Sequence, residues 1–243
     1  RVLFRSIFTT EGALVGVLHA ALDDARREDA PVPPAILGRV GVAQHRLGEG
    51  GEDLARVLLA PVQRHQEAEE RNRSFPCKAS EVDGVVLSHA HIDHSGLLPK
   101  LLKKGFTGPI HATPATIDLC SVMLPDSAHI QEMEVENLNR RNAQRGRPTV
   151  SPIYSLSDVA ACLLQFRSVE YAAWTTIMNG VRARFWNAGH MLGSSSVEIE
   201  VASEQGEPPL RILFSGDIGP GQKLLQADPE GPRDIDFLIC EAT

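Results

Sequence analysis

Apolar and polar residues form short, distinct blocks over the second part of the chain. The segment 82–88 is a short apolar run, which is typical of a buried strand. In segment 93–104 leucines recur on one face and lysines close the segment, which predicts a helix with Gly105 at its C-cap. The pattern therefore predicts a strand that leads almost directly into a helix.

The next stretch of the chain is predicted to alternate between strand and helix. Segment 109–112 reads as a short strand, and Thr113 and Pro114 then open another helix with proline at its first position. A separate, mostly polar helix is predicted over 126–145, and a further one over 157–166 with Ser157 as its N-cap.

Four strands are predicted after these helices, over 181–186, 196–201, 210–214 and 235–240. In the second of them, valine and isoleucine alternate with Glu198 and Glu200, which predicts one face turned towards water. Strands, then helices, then strands again indicate an α/β sandwich with its sheets inside.

Residues 1–66 differ in character from the rest of the chain. They contain eight arginines and no lysine, they are broken by the segments 31–34 and 48–51, and they show no strand-like alternation. We therefore predict an atypical N-terminal region over 1–66 and a second domain over 67–243. Our hypothesis for the first region is a shifted reading frame or a wrong gene start, and a divergent N-terminal extension is the alternative.

Composition narrows the classes of function. The chain has 243 residues, of which 42% are hydrophobic and 23% charged, as in a soluble globular protein. No apolar run reaches the length of a membrane span, and no secretory signal is evident, so no membrane partner is expected. The net charge of −7 argues against binding nucleic acid by charge alone, although an enzyme could still grip RNA through metal ions. Four widely spaced cysteines predict reduced thiols in a cytoplasmic protein.

The strongest chemical signal lies directly after the first predicted strand. His89 and His91 are two residues apart in an extended loop, so both imidazoles can face the same way and bind zinc. Asp93 and His94 lie where the chain turns into the helix, and their side chains can reach a second ion nearby.

Further ligands are needed to enclose two ions, and two strand ends offer them. His190 follows one predicted strand within a loop flanked by glycines, which let the backbone turn tightly. Asp217 follows another strand, and its two carboxylate oxygens can bridge two ions. Alone, an aspartate in such a loop is usually a turn residue, but the order of these motifs supports a common site.

The order His89-x-His91-x-Asp93-His94, His190, Asp217 resembles the metallo-β-lactamase fold superfamily. The segments 188–194, 214–219, 126–132 and 240–243 resemble its β-CASP branch of RNA-processing nucleases, which includes the nuclease of the cleavage and polyadenylation machinery. This resemblance covers about residues 67–243. It implies a metallo-β-lactamase αββα sandwich and a two-zinc phosphodiester hydrolase acting on RNA.

The resemblance also implies a role for each site residue. The implied ligands are His89, His91 and His190 for one zinc ion, Asp93 and His94 for the second, and Asp217 between them. Asp93 and Glu241 are the residues to which it gives catalytic roles, and Glu241 would support a catalytic histidine of the neighbouring domain.

Two departures from the family lead us to expect an incomplete sandwich. The Asp-Cys-Gly turn that usually precedes residue 67 is not evident, and the N-terminal strands of the family are not recognisable. The β-CASP domain and the returning C-terminal segment, which carry the general acid and the last zinc ligand, are expected to be absent. The second zinc site is then one ligand short, and we expect little or no nuclease activity from this chain.

Three functions stay open from the sequence. The first is a zinc-dependent ribonuclease of β-CASP type with impaired activity and RNA as its substrate. The second is another hydrolase of this fold, acting on a thioester or a lactam. The third is a non-catalytic fragment. The sequence also leaves open whether the protein forms a homodimer.

Overall fold

The structure is a computed structural model that describes residues 75, 78–202 and 208–241. Before residue 75 it describes only the backbone of three short strands, β1 (Leu3–Phe4), β2 (Leu18–His19) and β3 (Gly41–Ala43). Strands β1 and β2 pair with each other in antiparallel fashion. The remainder of the region 1–74, and the predictions made for it, lie outside the described residues.

A small parallel sheet carries the first half of the candidate site. Its strands, in the order β4, β5, β6, are Val85–Val86, Ile110–Ala112 and Phe166–Ser168. Two short helices, α1 (Ile92–Ser95) and α2 (Leu98–Lys103), connect β4 to β5. The long helix α3 (Pro114–Gln144) and helix α4 (Leu156–Leu163) connect β5 to β6. A 3-10 turn over Ala79–Glu81 precedes β4.

A six-stranded sheet carries the second half of the site, with the strand order β3, β11, β10, β9, β8, β7. Its later strands are β7 (Trp174–Met178), β8 (Val181–Asn187), β9 (Ser195–Val201), β10 (Leu210–Phe214) and β11 (Phe237–Cys240). Neighbouring strands run antiparallel except for β10 and β11, which run parallel. The carboxyl ends of β10 and β11 therefore lie at the same edge of the sheet.

The two sheets share one hydrophobic core. Val85 and Ile110 of the small sheet and Phe185 and Ile199 of the large sheet are fully buried members of the same cluster. A backbone hydrogen bond from the Ser195 amide to the Ser88 carbonyl, 2.8 Å long, ties the end of one sheet to the start of β9. These layers confirm the α/β class predicted from the sequence.

The helix predicted over 93–104 is in fact two helices. The chain turns at Gly96 and Leu97, and α2 begins with Pro99 in its first turn. Proline lacks a backbone N–H, so it is tolerated in a first turn but breaks the hydrogen bonds of a helix interior. Gly105 does end the segment, with a φ of 105° that favours glycine.

The predictions for the next two helices also need correction. The helix opened by Thr113 and the polar helix over 126–145 form one continuous helix, α3, with Pro125 inside it. Helix α4 is capped by Ser155 rather than Ser157. The Ser155 hydroxyl accepts a hydrogen bond from the Asp158 amide at 3.3 Å, and the Asp158 carboxylate accepts one from the Ser155 amide at 2.8 Å.

The prediction of a water-facing side on β9 is wrong for Glu198. This residue is fully buried, and its carboxylate accepts hydrogen bonds from Arg184 and from Trp186 of β8. Arg211 of β10 donates to the other carboxylate oxygen, at 2.9 Å through Nε. Alternation in sequence cannot show that arginines from both neighbouring strands will cover a glutamate. Strands β1, β2, β3, β6 and β7 were not predicted at all.

Candidate metal centre

The loop after β4 presents the first group of polar side chains. His89 is fully buried, and its Nδ1 lies 3.1 Å from the Ser88 hydroxyl, so its Nε2 faces the candidate site. His91 is the N-cap of α1, which places Asp93 and His94 in the first turn of that helix. The Ser95 hydroxyl donates to the Ala90 carbonyl at 2.8 Å and fixes the loop against the helix.

His190 enters from the large sheet, in the turn between β8 and β9. Gly189 and Gly193 on either side have φ values of 62° and 79°, which a residue with a Cβ rarely adopts. The hydroxyl of buried Ser194 accepts hydrogen bonds from the amides of His190 and Met191, at 3.0 and 3.1 Å. The Ser194 hydroxyl therefore closes the turn and fixes the backbone that carries His190.

Asp217 and Glu241 come from the shared edge of β10 and β11. Asp217 follows β10 after Gly216, whose φ is 54°, and Glu241 directly follows β11. The Glu241 amide donates to the Ser215 hydroxyl at 2.9 Å, so the two strand ends are joined. Two carboxylates thus lie side by side because their strands run parallel.

The first group of side chains consists of three imidazoles and one carboxylate. Nδ1 of His91 lies 3.1 Å from Nε2 of His89 and 3.1 Å from Nε2 of His190. Asp217 Oδ2 is 3.3 Å from His190 Nε2 and 3.6 Å from His89 Nε2. Zinc bonds of about 2.0–2.1 Å in tetrahedral geometry place neighbouring ligand atoms about 3.4 Å apart, so these four atoms fit a zinc ion.

The second group surrounds His94, which is fully buried. Its Nε2 lies 3.5 Å from Asp93 Oδ2, 3.6 Å from Asp217 Oδ1 and 3.8 Å from Glu241 Oε1. Asp217 therefore turns one oxygen to each group. The structure brings together all seven of the site residues predicted from the sequence, since Glu241 also faces this group.

Unsatisfied polar atoms show that the second group suits a cation. Both ring nitrogens of His94, Oδ1 of Asp217 and both carboxylate oxygens of Glu241 are buried without a hydrogen-bond partner. Such groups are costly to bury unless something compensates them. Burial and the nearby Asp217 and Asp93 raise the pKa of Glu241 to about 8. A divalent ion between Nε2 of His94 and these carboxylates would remove this repulsion and satisfy the atoms that face it, although not Nδ1 of His94, which lies on another side of the ring.

Three of the site histidines are held in the neutral form that binds metal. Burial, and then the neighbouring histidines, lower the pKa of His89 to about 2. Burial also lowers the pKa of His190 and of His94, although nearby carboxylates oppose the shift. Neutral imidazoles keep a lone pair for the ion.

Sequence reasoning missed the residues that hold these ligands in place. The ammonium of Lys223 donates to the carbonyls of Gly189 and His190, at 2.8 Å each, and ties the loop after Asp217 to the His190 turn. The serines at the strand ends were missed as well. Their only signal in the sequence is that a serine stands at each of these junctions, as at Ser88, Ser194 and Ser215.

The sequence of this chain has counterparts among known proteins. The family model described as the metallo-beta-lactamase superfamily matches residues 64–118, which include β4 and the first ligand loop. This match places a metallo-β-lactamase superfamily domain over those residues of the chain. The resemblance predicted from the sequence motifs is thereby confirmed at this level.

Relatives of this chain include ribonuclease TTHA0252 of Thermus thermophilus, 32% identical over 87% of this chain and 43% of the relative. The transcription termination factor FttA of Methanococcus maripaludis is 32% identical over 67% of this chain and 23% of its own length. These relatives lie in the β-CASP branch that the motifs resemble. The chain thus spans less than half the length of each of these two relatives.

The ribonuclease match bears on the N-terminal region. It spans 213 residues, more than the 177 residues from 67 to 243, so part of it precedes residue 67. The boundary at residue 66 stays a prediction.

Among solved structures, MEM-A1, a subclass B3 metallo-beta-lactamase from a soil metagenome library, aligns with a TM-score of 0.35. It is 17% identical, over 57% of this chain and 43% of its own. Within the part of the chain that the structure describes, no helix is both long and apolar enough to cross a membrane.

Proposed function

We propose that this chain hydrolyses phosphodiester bonds of RNA with two zinc ions. The observation that carries the proposal is the position of Asp217, whose Oδ2 faces the three-histidine group and whose Oδ1 faces His94. A carboxylate shared in this way is what a two-ion centre requires. RNA as the substrate is supported by the likeness to a ribonuclease and by the sequence motifs of the β-CASP branch.

The chain's own residues would divide the work as follows. His89, His91, His190 and Asp217 would hold one ion, and Asp93, His94 and Asp217 would hold the other. The pair of ions would supply a clamp on the attacking and leaving oxygens of the phosphate and lower the pKa of water. Because the chain carries a net charge of −7, attraction for the phosphate must come from this centre rather than from the protein surface as a whole.

The protein contributes rigidity to this centre. The Ser194 hydroxyl and the Lys223 ammonium fix the His190 turn, and the Ser88 hydroxyl fixes the ring of His89. These contacts orient the ligands before substrate arrives, which is the usual way in which residues behind a metal centre act. Asp93, a quarter exposed, is the carboxylate of this group that solvent and substrate can reach most easily.

The test is cleavage of a labelled single-stranded RNA by the zinc-loaded chain, with the enzyme in excess because we expect slow turnover. The variant Asp217→Ala should abolish cleavage and the variant Asp118→Ala, an exposed aspartate on α3, should retain it. A small thioester and a β-lactam serve as control substrates. RNA cleavage no faster than that of Asp217→Ala would contradict the proposal. Hydrolysis of a control substrate would then support the thioester or lactam alternative.

A further inference from the structure

We propose that the arginines at the C-terminal end of α3 bind the phosphate backbone of RNA at a place remote from the metal centre. These residues are Arg140, Arg141, Arg145 and Arg147, which we call the arginine cluster. All four are exposed. The proposal rests on RNA as the proposed substrate and adds a second contact for a long strand.

Positive charge is concentrated at this end of the helix. The segment 137–157 contains the four arginines and no aspartate or glutamate, although the chain as a whole has a net charge of −7. The acidic residues of α3 all come earlier, and the last of them is Glu136. A local patch of positive charge can attract a polyanion to one place on a protein that is negative overall.

Three of the four guanidinium groups have no acidic partner among the described residues. Arg140 lies 3.6 Å from the Glu136 carboxylate. In the part of the chain that the structure describes, the side chains of Arg141, Arg145 and Arg147 form no hydrogen bond or ion pair. Arg141 and Arg145 are also four positions apart, where like charges repel each other along one helix face. An anion bound beside them would relieve that repulsion.

The arginines of the large sheet show the contrasting arrangement. Arg184 and Arg211 both contact the buried Glu198, and Arg182 contacts Glu200 at 2.6 Å. Those arginines hold neighbouring strands together, whereas the arginine cluster has no such structural task. The helix macrodipole favours cations in a last turn, but its effect fades beyond that turn, and the cluster continues past the end of α3.

Hydrogen bonds hold the chain that follows α3 back against the helix. The Arg147 amide donates to the Asn142 carbonyl at 2.9 Å, and the Asn142 side chain donates to the Pro148 carbonyl at 3.1 Å. The Asn139 side chain donates to the Val150 carbonyl at 2.9 Å and accepts from the Val150 amide at 2.8 Å. The backbone of Arg147 is therefore fixed beside the last turn of α3, so less order has to be created when a ligand binds.

Phosphate is the ligand group that suits this cluster. A guanidinium offers two parallel N–H donors to the oxygens of one phosphate group. The backbone of RNA repeats that group at every nucleotide, so several arginines can contact one strand at the same time. An acidic peptide also carries negative charge, but RNA is favoured because it is the proposed substrate of the same chain.

Helix α3 connects the cluster to the metal centre. It begins beside the His190 turn, where the Thr113 hydroxyl donates to the Gly193 carbonyl at 2.6 Å, and it ends at Gln144. At about 1.5 Å per residue, its 31 residues span roughly 45 Å. Stacked nucleotides are spaced by about 3.4 Å, so about 13 of them cover this distance. The cluster is therefore a separate contact, and its loss should leave the metal ligands untouched.

The experiment measures binding of a labelled single-stranded RNA of about 30 nucleotides by fluorescence anisotropy at several KCl concentrations. The zinc-loaded 243-residue chain is compared with the triple variant Arg141→Gln, Arg145→Gln, Arg147→Gln. At low salt the Kd of the variant should be at least about tenfold higher, and the slope of log K against log salt should be smaller by about 2. Zinc content, counted by atomic emission, should not change. A denaturing gel checks that the RNA stays intact.

Two further variants serve as controls. The triple variant Lys78→Gln, Lys104→Gln, Arg233→Gln removes the same charge at exposed positions outside the cluster, and it should bind RNA nearly as tightly as wild type. Replacing the same three cluster arginines by lysine keeps the charge and should keep the salt dependence of wild type. Circular dichroism checks folding. If the triple glutamine variant unfolds, Arg147→Gln alone, which lies outside the helix, should still reduce the slope by about 0.7.

The outcomes separate this inference from the proposed function. Equal affinity and salt dependence in wild type and the glutamine variant would overturn the inference, while cleavage that is lost only in Asp217→Ala would still support the proposed function. An equal loss in the charge-matched control would also overturn it, because overall charge would then govern binding. A polyglutamate peptide that binds more tightly than RNA would assign the cluster to an acidic protein instead. Loss of RNA affinity in the glutamine variant, without cleavage by any variant, would support the cluster and contradict the proposed function.

Discussion

At the residue scale, His91 and His111 show that the position of a histidine decides whether it can bind metal. His91 lies at the centre of the first group, within 3.1 Å of a ring nitrogen of both His89 and His190. His111 is buried on β5, where neither of its ring nitrogens has a partner. Burial, and then nearby Arg167, lower its pKa, so the ring is neutral. It belongs to neither candidate ligand group.

Replacing His91 by alanine should therefore lower the zinc content, whereas replacing His111 by alanine should not. His91→Ala removes a direct bond to the ion, so we expect most of the zinc to be lost, with at least about tenfold weaker affinity. His111→Ala should leave the zinc content unchanged, although the cavity lowers stability. Atomic emission on the two purified variants provides the measurement, and equal zinc contents would contradict the assignment.

Lys100 is buried in surroundings that disfavour the positive charge of its ammonium group. It is 3% exposed on α2, its ammonium lies 4.8 Å from the centre of the Phe75 ring, and burial lowers its pKa to about 8. An unfolded lysine keeps its proton up to a pKa of about 10.4. The folded state therefore bears a penalty at pH 7 that fades as the pH rises from about 8 towards 10.4.

The variant Lys100→Met should accordingly be more stable than wild type at neutral pH. We expect a gain of about 1 kcal/mol in the free energy of unfolding, because methionine fills a similar volume without a charge. The gain should shrink between pH 8 and pH 10, where the folded wild type loses its proton. Urea unfolding at several pH values measures it, and a constant difference across that range would show that burial of the charge is not the cause.

At the scale of elements, the His190 turn is built onto the start of the long helix. The carbonyl of Gly193 accepts hydrogen bonds from the hydroxyls of Thr113 and Thr116, at 2.6 and 2.9 Å. A Cβ on Gly193 would lie 2.5 Å from the amide nitrogen of Thr116, and the φ of 79° is itself unfavourable for other residues. The His190 turn and the N-terminus of α3 therefore approach so closely at Gly193 that a Cβ there would collide with Thr116.

Substituting alanine for Gly193 should disturb both stability and metal binding. We expect a loss of roughly 2–3 kcal/mol in the free energy of unfolding, from strain and from the shifted turn, together with weaker zinc binding. Gly231→Ala is the matched control, since a Cβ there meets nothing within 4 Å. Thermal melting and a zinc titration of both variants would decide, and similar behaviour of the two would refute the structural role of Gly193.

The helices and strands also show how much of the structure could be predicted from the sequence. The candidate metal ligands could be found because they cluster in the segments that follow predicted strands, and strand β10 was predicted with its observed bounds, Leu210–Phe214. The short strand β6 was missed because it depends on pairing with β5, which is distant in sequence. The break at Gly96 was missed although Pro99, which a helix interior does not tolerate, marks it locally. Glu198 illustrates the limit best, since its burial depends on Arg184 and Arg211 from two other strands. Pairing between strands cannot be read from the periodicity of one strand.

At the scale of the whole molecule, bound metal should stabilise the folded state. An ion that binds only the native state stabilises it by about 2.7 kcal/mol when present at 100 times its dissociation constant. For a chain of this length that corresponds to a rise of roughly 5–10 °C in Tm. We expect such a rise when zinc is added to the metal-free chain and its reversal by a chelator. The response should be much smaller in His91→Ala, and an equal shift there would place the stabilising ion elsewhere.

The hydrogen bond between Ser88 and Ser195, and the ligands on either side of it, have a consequence for the folding kinetics. His91 and His190 are 99 positions apart and follow strands of different sheets. Contacts so distant in sequence form slowly, because the intervening chain must first be ordered. The three-histidine group therefore cannot exist until the two sheets have docked. The rate at which a refolding chain takes up zinc should then report the rate of that docking step. The helical signal in circular dichroism should appear earlier and separately.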